Sequence, residues 1–150
     1  MKIIAIDPAY AKPHAFCEAV DGRLWKLGFN PPYHVSQCDV VLVEDQFAGR
    51  NGGAVIKLAR AAGHVVGSIG RGYDNVEWVK PSVWKRGLCK QKAPKTRKLA
   101  DYVVHQVILE HLKDEELDVY WHALYRTKDQ GRRSDLADAV GMYLHYCLSQ

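Results

Sequence analysis

The chain begins with Met1-Lys2-Ile3-Ile4-Ala5-Ile6-Asp7-Pro8, a short apolar run that ends on a carboxylate. Its isoleucines are β-branched and Pro8 stops the run, so the pattern predicts a β-strand. Because polar and apolar residues do not alternate, we expect this strand to be central and covered on both faces. Asp7 then lies where the buried strand emerges. Taken alone, it is typical of a turn or cap aspartate before proline, so any other role depends on further carboxylates at the same place.

The composition is that of an ordinary globular protein, with 47% hydrophobic and 25% charged residues in 150. It predicts one compact domain over residues 1–150. The formal net charge of +4 permits a polyanionic partner without requiring one. No run approaches the ~18 apolar residues of a membrane helix, and no signal-peptide pattern is present, so we expect a soluble cytoplasmic protein. The 4 cysteines are scattered, which supports neither a zinc site nor a disulfide framework.

Two further strands are predicted after the first, at residues 14–20 and 23–28. They are separated by Asp21-Gly22, a strong signal for a two-residue hairpin turn. The chain therefore opens with an antiparallel meander of three strands. Another apolar run, Val40-Val41-Leu42-Val43-Glu44-Asp45, predicts a second buried strand that also ends on acid.

Helices dominate the rest of the prediction. A small-residue helix is expected at residues 54–62, and would let another helix approach closely from the same domain or from a second subunit. Gly63 is a natural stop, and residues 64–69 are either the end of that helix or a short strand. A strand is predicted at residues 76–79 and a helix at 96–112. Ser134 is a suitable N-cap for a final helix. The result is an α/β domain, in which the polar stretch 113–133 is given no role.

Asp7 and Glu44 each close an apolar strand, so both emerge at one sheet edge if those strands are parallel neighbours. Asp135 and Asp138 are three residues apart and share a helix face. A position in the first turn, where acids favour the helix dipole, accounts for Asp135 but not for Asp138. Four close carboxylates repel one another unless cations neutralise them, and oxygen-only ligands favour magnesium or manganese over zinc. Two such ions about 3.5–4 Å apart can support phosphodiester cleavage.

Three segments resemble the acidic motifs of RuvC-type Holliday junction resolvases, in the same order and structural contexts: Ile4-Ala5-Ile6-Asp7-Pro8, Val41-Leu42-Val43-Glu44-Asp45-Gln46-Phe47 and Ser134-Asp135-Leu136-Ala137-Asp138-Ala139. The resemblance implies an RNase H-like α/β fold, with a five-stranded mixed sheet (an antiparallel meander plus parallel strands) and helices on both faces. It also implies a homodimer that makes paired symmetric nicks in four-way DNA junctions, with two Mg²⁺ or Mn²⁺ ions per active site. The catalytic and metal-binding residues would be Asp7, Glu44, Asp135 and Asp138.

The resemblance assigns further roles. Phe47 matches an aromatic that wedges into the junction's centre in this family; from the residues alone it is either a core or a base-stacking side chain. Residues 54–62 resemble the family's dimer helix, and residues 78–85 resemble the strand-to-loop stretch that follows it. The chain departs from the family at Ala9, where glycine is usual, and at Tyr10, which is bulkier than usual.

The segment Lys80 to Lys98 contains eight basic and no acidic residues, near Trp78 and Trp84. A solvated loop would explain it, and so would a nucleic-acid surface, where phosphate contacts give affinity without sequence choice. Tyr120-Trp121 either covers the core or stacks on a base. The candidate DNA-binding residues are Phe47, Lys80, Lys85, Arg86, Lys90 and Lys92.

Two alternatives stay open for the function. A nuclease of the same fold would cut other branched, flap or RNA-containing structures, and a catalytically idle protein would only bind junctions. Nucleotide hydrolysis is not supported, because the glycine-rich stretch 49–53 lacks the G-K-[ST] ending of a phosphate-binding loop.

Overall fold

The computed structural model describes residues 1–32, 37–45, 52–69, 75–89 and 101–150. Strands and helices alternate only in the middle of the chain, because the first four strands come before any helix in these ranges. The strands are β1 (Lys2–Asp7), β2 (Ala15–Val20), β3 (Arg23–Phe29), β4 (Val40–Glu44) and β5 (Glu77–Val79). The helices are α1 (Gly52–Ser68), α2 (Pro81–Leu88), α3 (Asp101–His111), α4 (Asp114–Arg126) and α5 (Gln130–Ser149).

The strands form a five-stranded mixed sheet in the order β3-β2-β1-β4-β5. β1 pairs antiparallel with β2 and parallel with β4, and β5 continues the parallel part. The predicted mixed sheet is therefore confirmed, with β1 at its centre. Ile6 lies opposite Val43 in the parallel pair, so the next residues, Asp7 and Glu44, come to the same edge of the sheet.

The hairpin turn between β2 and β3 forms as the sequence predicts. Asp21 and Gly22 both have positive φ, 50° and 76°. This is the backbone that a two-residue type I′ turn requires, and it suits aspartate and glycine better than other residues. The antiparallel meander of the first three strands follows from this turn.

Helices cover both faces of the sheet, as expected from the absence of alternation in β1. Ile4 and Ile6 point to one face, where they pack with Val65 of α1. Ile3 and Ala5 point to the other, where α5 and its neighbours lie. Successive residues of a strand face opposite sides, so one apolar run serves two cores. None of the helices in the described ranges is long and apolar enough to cross a membrane.

The structure decides between the two alternatives for residues 64–69 in favour of helix, and the predicted start of the last helix is wrong. Helix α1 continues through Gly63 to Ser68, since Val65 is fully buried against the sheet and its burial offsets a glycine cost of about 1 kcal/mol. Helix α5 begins at Gln130, four residues before the expected N-cap, because the Asp129 side chain accepts a hydrogen bond from the Arg132 amide at 3.1 Å. Asp135 therefore lies beyond the first turn, where the helix dipole no longer explains it.

Two stretches without predicted regular structure are helical. The segment after β5, expected to be a loop, forms α2 with Pro81 in its first turn, a position that proline favours. Much of the polar stretch 113–133 forms α4. The buried Glu116 side chain ties α4 to the sheet, because one carboxylate oxygen accepts from the Leu24 amide at 2.7 Å and the other from the Lys113 amide at 2.9 Å.

Candidate active site

Asp7 and Glu44 lie side by side at the ends of β1 and β4, with only 5% and 6% of their surface exposed. Their carboxyl groups are hydrogen bonded to each other. Burial, followed by the negative charges of Glu44, Asp138 and Asp135, raises the pKa of Asp7 well above its usual value. Without a cation, the ionised form of the Asp7 carboxyl is therefore disfavoured.

Helix α5 brings Asp135 and Asp138 to the same place, because it packs across the strands that carry the other two acids. Both carboxylates act electrostatically on Asp7, Asp138 more strongly than Asp135. Burial also raises the pKa of Asp135, against the opposing effect of the Arg132 guanidinium. The four acids named by the sequence are thus brought together, from two strands and one helix.

Two basic side chains lie among these acids. The Lys85 Nζ contacts Asp138 Oδ2 at 2.8 Å, and Arg132 Nη1 contacts Asp135 Oδ2 at 2.5 Å. The Arg132 guanidinium also donates to the carbonyl oxygen of Pro13 and lies 4.4 Å from the centre of the Phe29 ring. The protein's own cations therefore offset part of the negative charge on α5.

The Trp84 side chain fixes the orientation of Glu44. Its indole N–H donates to Glu44 Oε1 at 3.0 Å, and the ring is completely buried. It packs against Gly141 of α5 so closely that a Cβ there would lie 2.4 Å from a ring carbon. Trp84 is thus a core residue rather than part of an exposed basic surface. Its spacing from Leu88, four residues on and also buried, is the helical pattern that could have indicated this.

The donor set fits a hard divalent cation by its chemistry. Its four members are carboxylates, two of them buried in contact, and such a group is costly unless a cation balances it. Among the described residues, however, no three acid, histidine or cysteine side chains already form a set arranged to hold an ion. Asp135 and Asp138 each use one oxygen in an ion pair with a basic residue, so coordination by all four requires these side chains to rearrange.

The candidate DNA-binding residues are placed unevenly. Lys80 and Arg86 are exposed, at the start and in the last turn of α2. Lys85 belongs to the acidic site through its ion pair with Asp138. The other candidates, Phe47, Lys90 and Lys92, lie outside the described residues.

A histidine pair beside the site was missed by sequence reasoning. His14 Nε2 lies 2.7 Å from His64 Nδ1, and the Ala9 amide donates to His14 Nδ1 at 3.0 Å. Burial, with smaller effects of His64 and Arg132, lowers the pKa of His14 to about 4. The pair connects the turn after β1 to α1. Tyr10, in the same turn, lies with its ring 5.6 Å from Lys57 Nζ of α1. Ala9 and Tyr10, which depart from the family pattern, thus both belong to the contacts between this turn and α1.

The mixed sheet with helices on both faces defines an RNase H-like fold. No protein-family model and no curated protein sequence matches the chain. Solved structures of RuvC from Thermus thermophilus do match. The chain is 19% identical to RuvC in complex with a Holliday junction substrate, covering 98% of this chain and 94% of that one with a TM-score of 0.61. For another Thermus thermophilus RuvC structure the identity is 18%, the coverage 99% and 96%, and the TM-score 0.60. The chain has a RuvC-type fold.

Proposed function

We propose that the protein is a metal-dependent endonuclease that resolves Holliday junctions. The observation that carries this proposal is the meeting of Asp7, Glu44, Asp135 and Asp138 at one edge of the sheet, where burial and then the charges of the other three acids raise the pKa of Asp7. A protein that only binds DNA gains nothing from concentrated negative charge beside a polyanion. A metal site explains the charge. The RuvC-type fold, and the Holliday junction substrate held by one of the matching RuvC structures, support the choice of substrate.

The four carboxylates would hold two Mg²⁺ or Mn²⁺ ions, which when bound supply an activated water and stabilise the departing 3′ oxygen. The protein's own residues prepare this chemistry. Trp84 keeps Glu44 pointed toward Asp7 through its hydrogen bond. Lys85 and Arg132 pair with Asp138 and Asp135 in the absence of metal, and each would have to release its carboxylate oxygen for coordination by all four acids. Asp7, in the middle of the group, is the central ligand.

The exposed basic residues of α2 would bind the backbone of the substrate. Arg86 lies on α2, which also carries Trp84 and Lys85 into the site, and Lys80 is the N-cap residue of this helix. Phosphate contacts from these side chains would position a strand over the carboxylates without reading its sequence. Lys90, Lys92 and the wedge residue Phe47 keep the roles that the family resemblance gives them, as part of this proposal.

The test is cleavage of a synthetic four-way junction in Mg²⁺ or Mn²⁺. Asp7→Asn should still bind the junction but cut it at least about 100-fold more slowly, since even changes behind a metal ligand cost 10–100-fold. Asp118→Asn, a similar change at an exposed acid on α4, should cut normally. Equal cutting by wild type and Asp7→Asn would contradict the metal-site assignment. Flap, duplex and RNA-hybrid substrates serve as controls. Faster cutting of any of these would show that it, and not the four-way junction, is the preferred substrate.

A further inference from the structure

A cavity of about 270 Å³ opens beside Asp138, between helices α3, α4 and α5. One part of its lining is aromatic and consists of Tyr102 and His105 from α3 and Trp121 from α4. We call it the aromatic cavity. Apart from Asp138, its lining is not part of the proposed chemistry, and for Trp121 the sequence leaves open whether it covers the core or stacks on a base.

Two members of the aromatic lining, Trp121 and His105, are held in position by their neighbours. The Trp121 ring stacks on Tyr125 with centres 5.7 Å apart, and meets His105 edge-on at 5.1 Å. His105 Nδ1 is in turn 2.8 Å from the Tyr120 hydroxyl. Burial lowers the pKa of His105, so at neutral pH its ring is uncharged. A fixed, neutral aromatic wall of this kind can receive a flat ligand with little loss of side-chain freedom.

The cavity is open to such a ligand from solvent, because Tyr102 is 65% exposed and Tyr125, behind Trp121, is 77% exposed. Leu124 and Ala137 add apolar surface to the lining, and its polar groups come mainly from the first turns of α5, including Gln130, Arg133 and Ser134. The Arg133 Nε donates to the Thr127 carbonyl oxygen at 2.6 Å, which anchors its guanidinium beside the cavity. Stacking surfaces together with amide, hydroxyl and guanidinium groups suit a heteroaromatic ring with polar edges.

The position of the aromatic cavity limits the choice of ligand. Asp138 belongs both to its wall and to the carboxylate group of the proposed active site. Its charge also reaches the aromatic cluster, because burial and then the negative charge of Asp138 raise the pKa of Tyr120. A group in the cavity is therefore an immediate neighbour of the phosphate that would be cut.

We propose that the aromatic cavity binds an unpaired nucleobase of the cut strand, from a nucleotide adjoining the scissile phosphate. This inference rests on the proposed function for the location of that phosphate. The base would stack on Trp121 and Tyr102, a contact that every base can make through its π-face. Its removal from the helical stack costs least where pairing is already disturbed, as at a branch point.

Binding of junctions that carry one abasic nucleotide tests the proposal. The abasic position is moved along each side of the nick, and affinity is measured with the Asp7→Asn protein so that nothing is cut. Loss of the base at one position near the nick should weaken binding by about tenfold or more, as expected for one lost stacking contact. Tyr102→Ala and Trp121→Ala, made in the same background, should remove this dependence on position.

Trp25→Ala is the matched control, because Trp25 is 71% exposed on β3, outside the cavity lining. It should retain the full dependence on the abasic position. Tyr102 is exposed enough to be replaced without loss of the fold, and thermal unfolding of each variant checks this. Equal affinity at every abasic position, or an unchanged pattern in Tyr102→Ala, would overturn the proposal.

The two proposals fail in different ways. A wild-type protein that binds junctions with one sensitive position but never cuts them would contradict the nuclease proposal and leave base binding supported. A protein that cuts junctions but binds them equally well at every abasic position would support the nuclease proposal and contradict base binding. Absence of any junction binding would overturn both.

Discussion

Asp7 is an acid inside the protein, hydrogen bonded to a second acid, Glu44. Its raised pKa means that folding moves a carboxyl group to a place where ionisation is unfavourable. The unfolded chain ionises Asp7 near pH 3.8, whereas the folded chain holds the proton to higher pH. Between these two pKa values, rising pH lowers the stability of the metal-free protein. A bound cation would remove this penalty.

Asp7→Asn should therefore stabilise the metal-free protein at neutral pH, because it removes a buried carboxyl group that burial and its acidic neighbours disfavour as an anion. The melting temperature should rise by several degrees, at about 2–4 °C per kcal/mol for a protein of this size. The gain should shrink as the pH falls toward 3.8, where the unfolded carboxyl is also protonated. Thermal unfolding in chelator at several pH values measures this.

Addition of Mg²⁺ or Mn²⁺ should reverse the order. A ligand that binds only the folded state raises its stability, so the wild type should gain more than Asp7→Asn. The exposed-acid variant Asp118→Asn should follow the wild type in both conditions. If chelator and metal shift wild type and Asp7→Asn equally, Asp7 is not a metal ligand.

Single residues also show where sequence reasoning stops. Asp7 and Glu44 could be predicted because each ends an apolar strand, a pattern within a few neighbouring residues. The supporting contacts could not. Trp84 is 40 residues from Glu44, Lys85 is 53 from Asp138, and His14 is 50 from His64. Such separations have no local pattern, and only the packing of helices on the sheet brings these side chains together.

Among the elements, the contact between α2 and α5 matters most for the site, because it places Trp84 over Gly141 and so sets Glu44. Gly141→Ala should destabilise the protein by about 1–3 kcal/mol, as overpacking does in a tight core. It should also slow cleavage, since the indole must move away from Glu44. Chemical denaturation and the junction assay provide the two measurements.

Gly63→Ala is the matched control for this change. Gly63 is also inside a helix, but a Cβ there would meet nothing within 4 Å. Alanine should therefore stabilise α1 by about 0.5–1 kcal/mol, through its better helix propensity. Equal effects of the two substitutions would show that helix propensity, and not the packing of Trp84, decides the result at position 141.

Elements that are specified by a few neighbouring residues could be predicted more accurately than those that depend on distant contacts. The β2–β3 hairpin is specified by Asp21-Gly22 alone, so it was predictable. Helix ends depend on competition between a local signal and burial. At Gly63, the burial of Val65 in the core outweighs the tendency of glycine to end a helix. Ser134 is not the N-cap, because Asp129 caps the helix five residues earlier. These outcomes follow from tertiary packing and from a rival cap that the periodicity did not reveal.

For the whole molecule, the proposal requires a homodimer, in which two-fold symmetry places one site on each of two opposed strands. Helix α1 offers an exposed face for this contact, with Ile56 at 58% exposure and the exposed small residue Ala59 beside it. Small residues let two helices approach closely, and Ile56 would become buried between them.

Ile56→Glu should therefore convert a dimer into a monomer, because two buried like charges would face each other across the axis. Sedimentation measures this directly. Paired nicking of a junction should fall in parallel, leaving single nicks. Leu148→Glu, at an equally exposed aliphatic residue near the end of α5, should leave the dimer intact. A wild-type protein that sediments only as a monomer at assay concentrations would exclude the paired-nick mechanism.

The four acids are drawn from residues 7, 44, 135 and 138, so the site uses opposite ends of the described fold. The first meander can form soon after its residues leave the ribosome, because its contacts are close in the chain. One face of it then stays uncovered until α5, at residues 130–149, is synthesised and packs across β1 and β2. A ribosome-bound fragment without α5 thus lacks two of the four acids, so the proposed active site can form only after α5 has been synthesised.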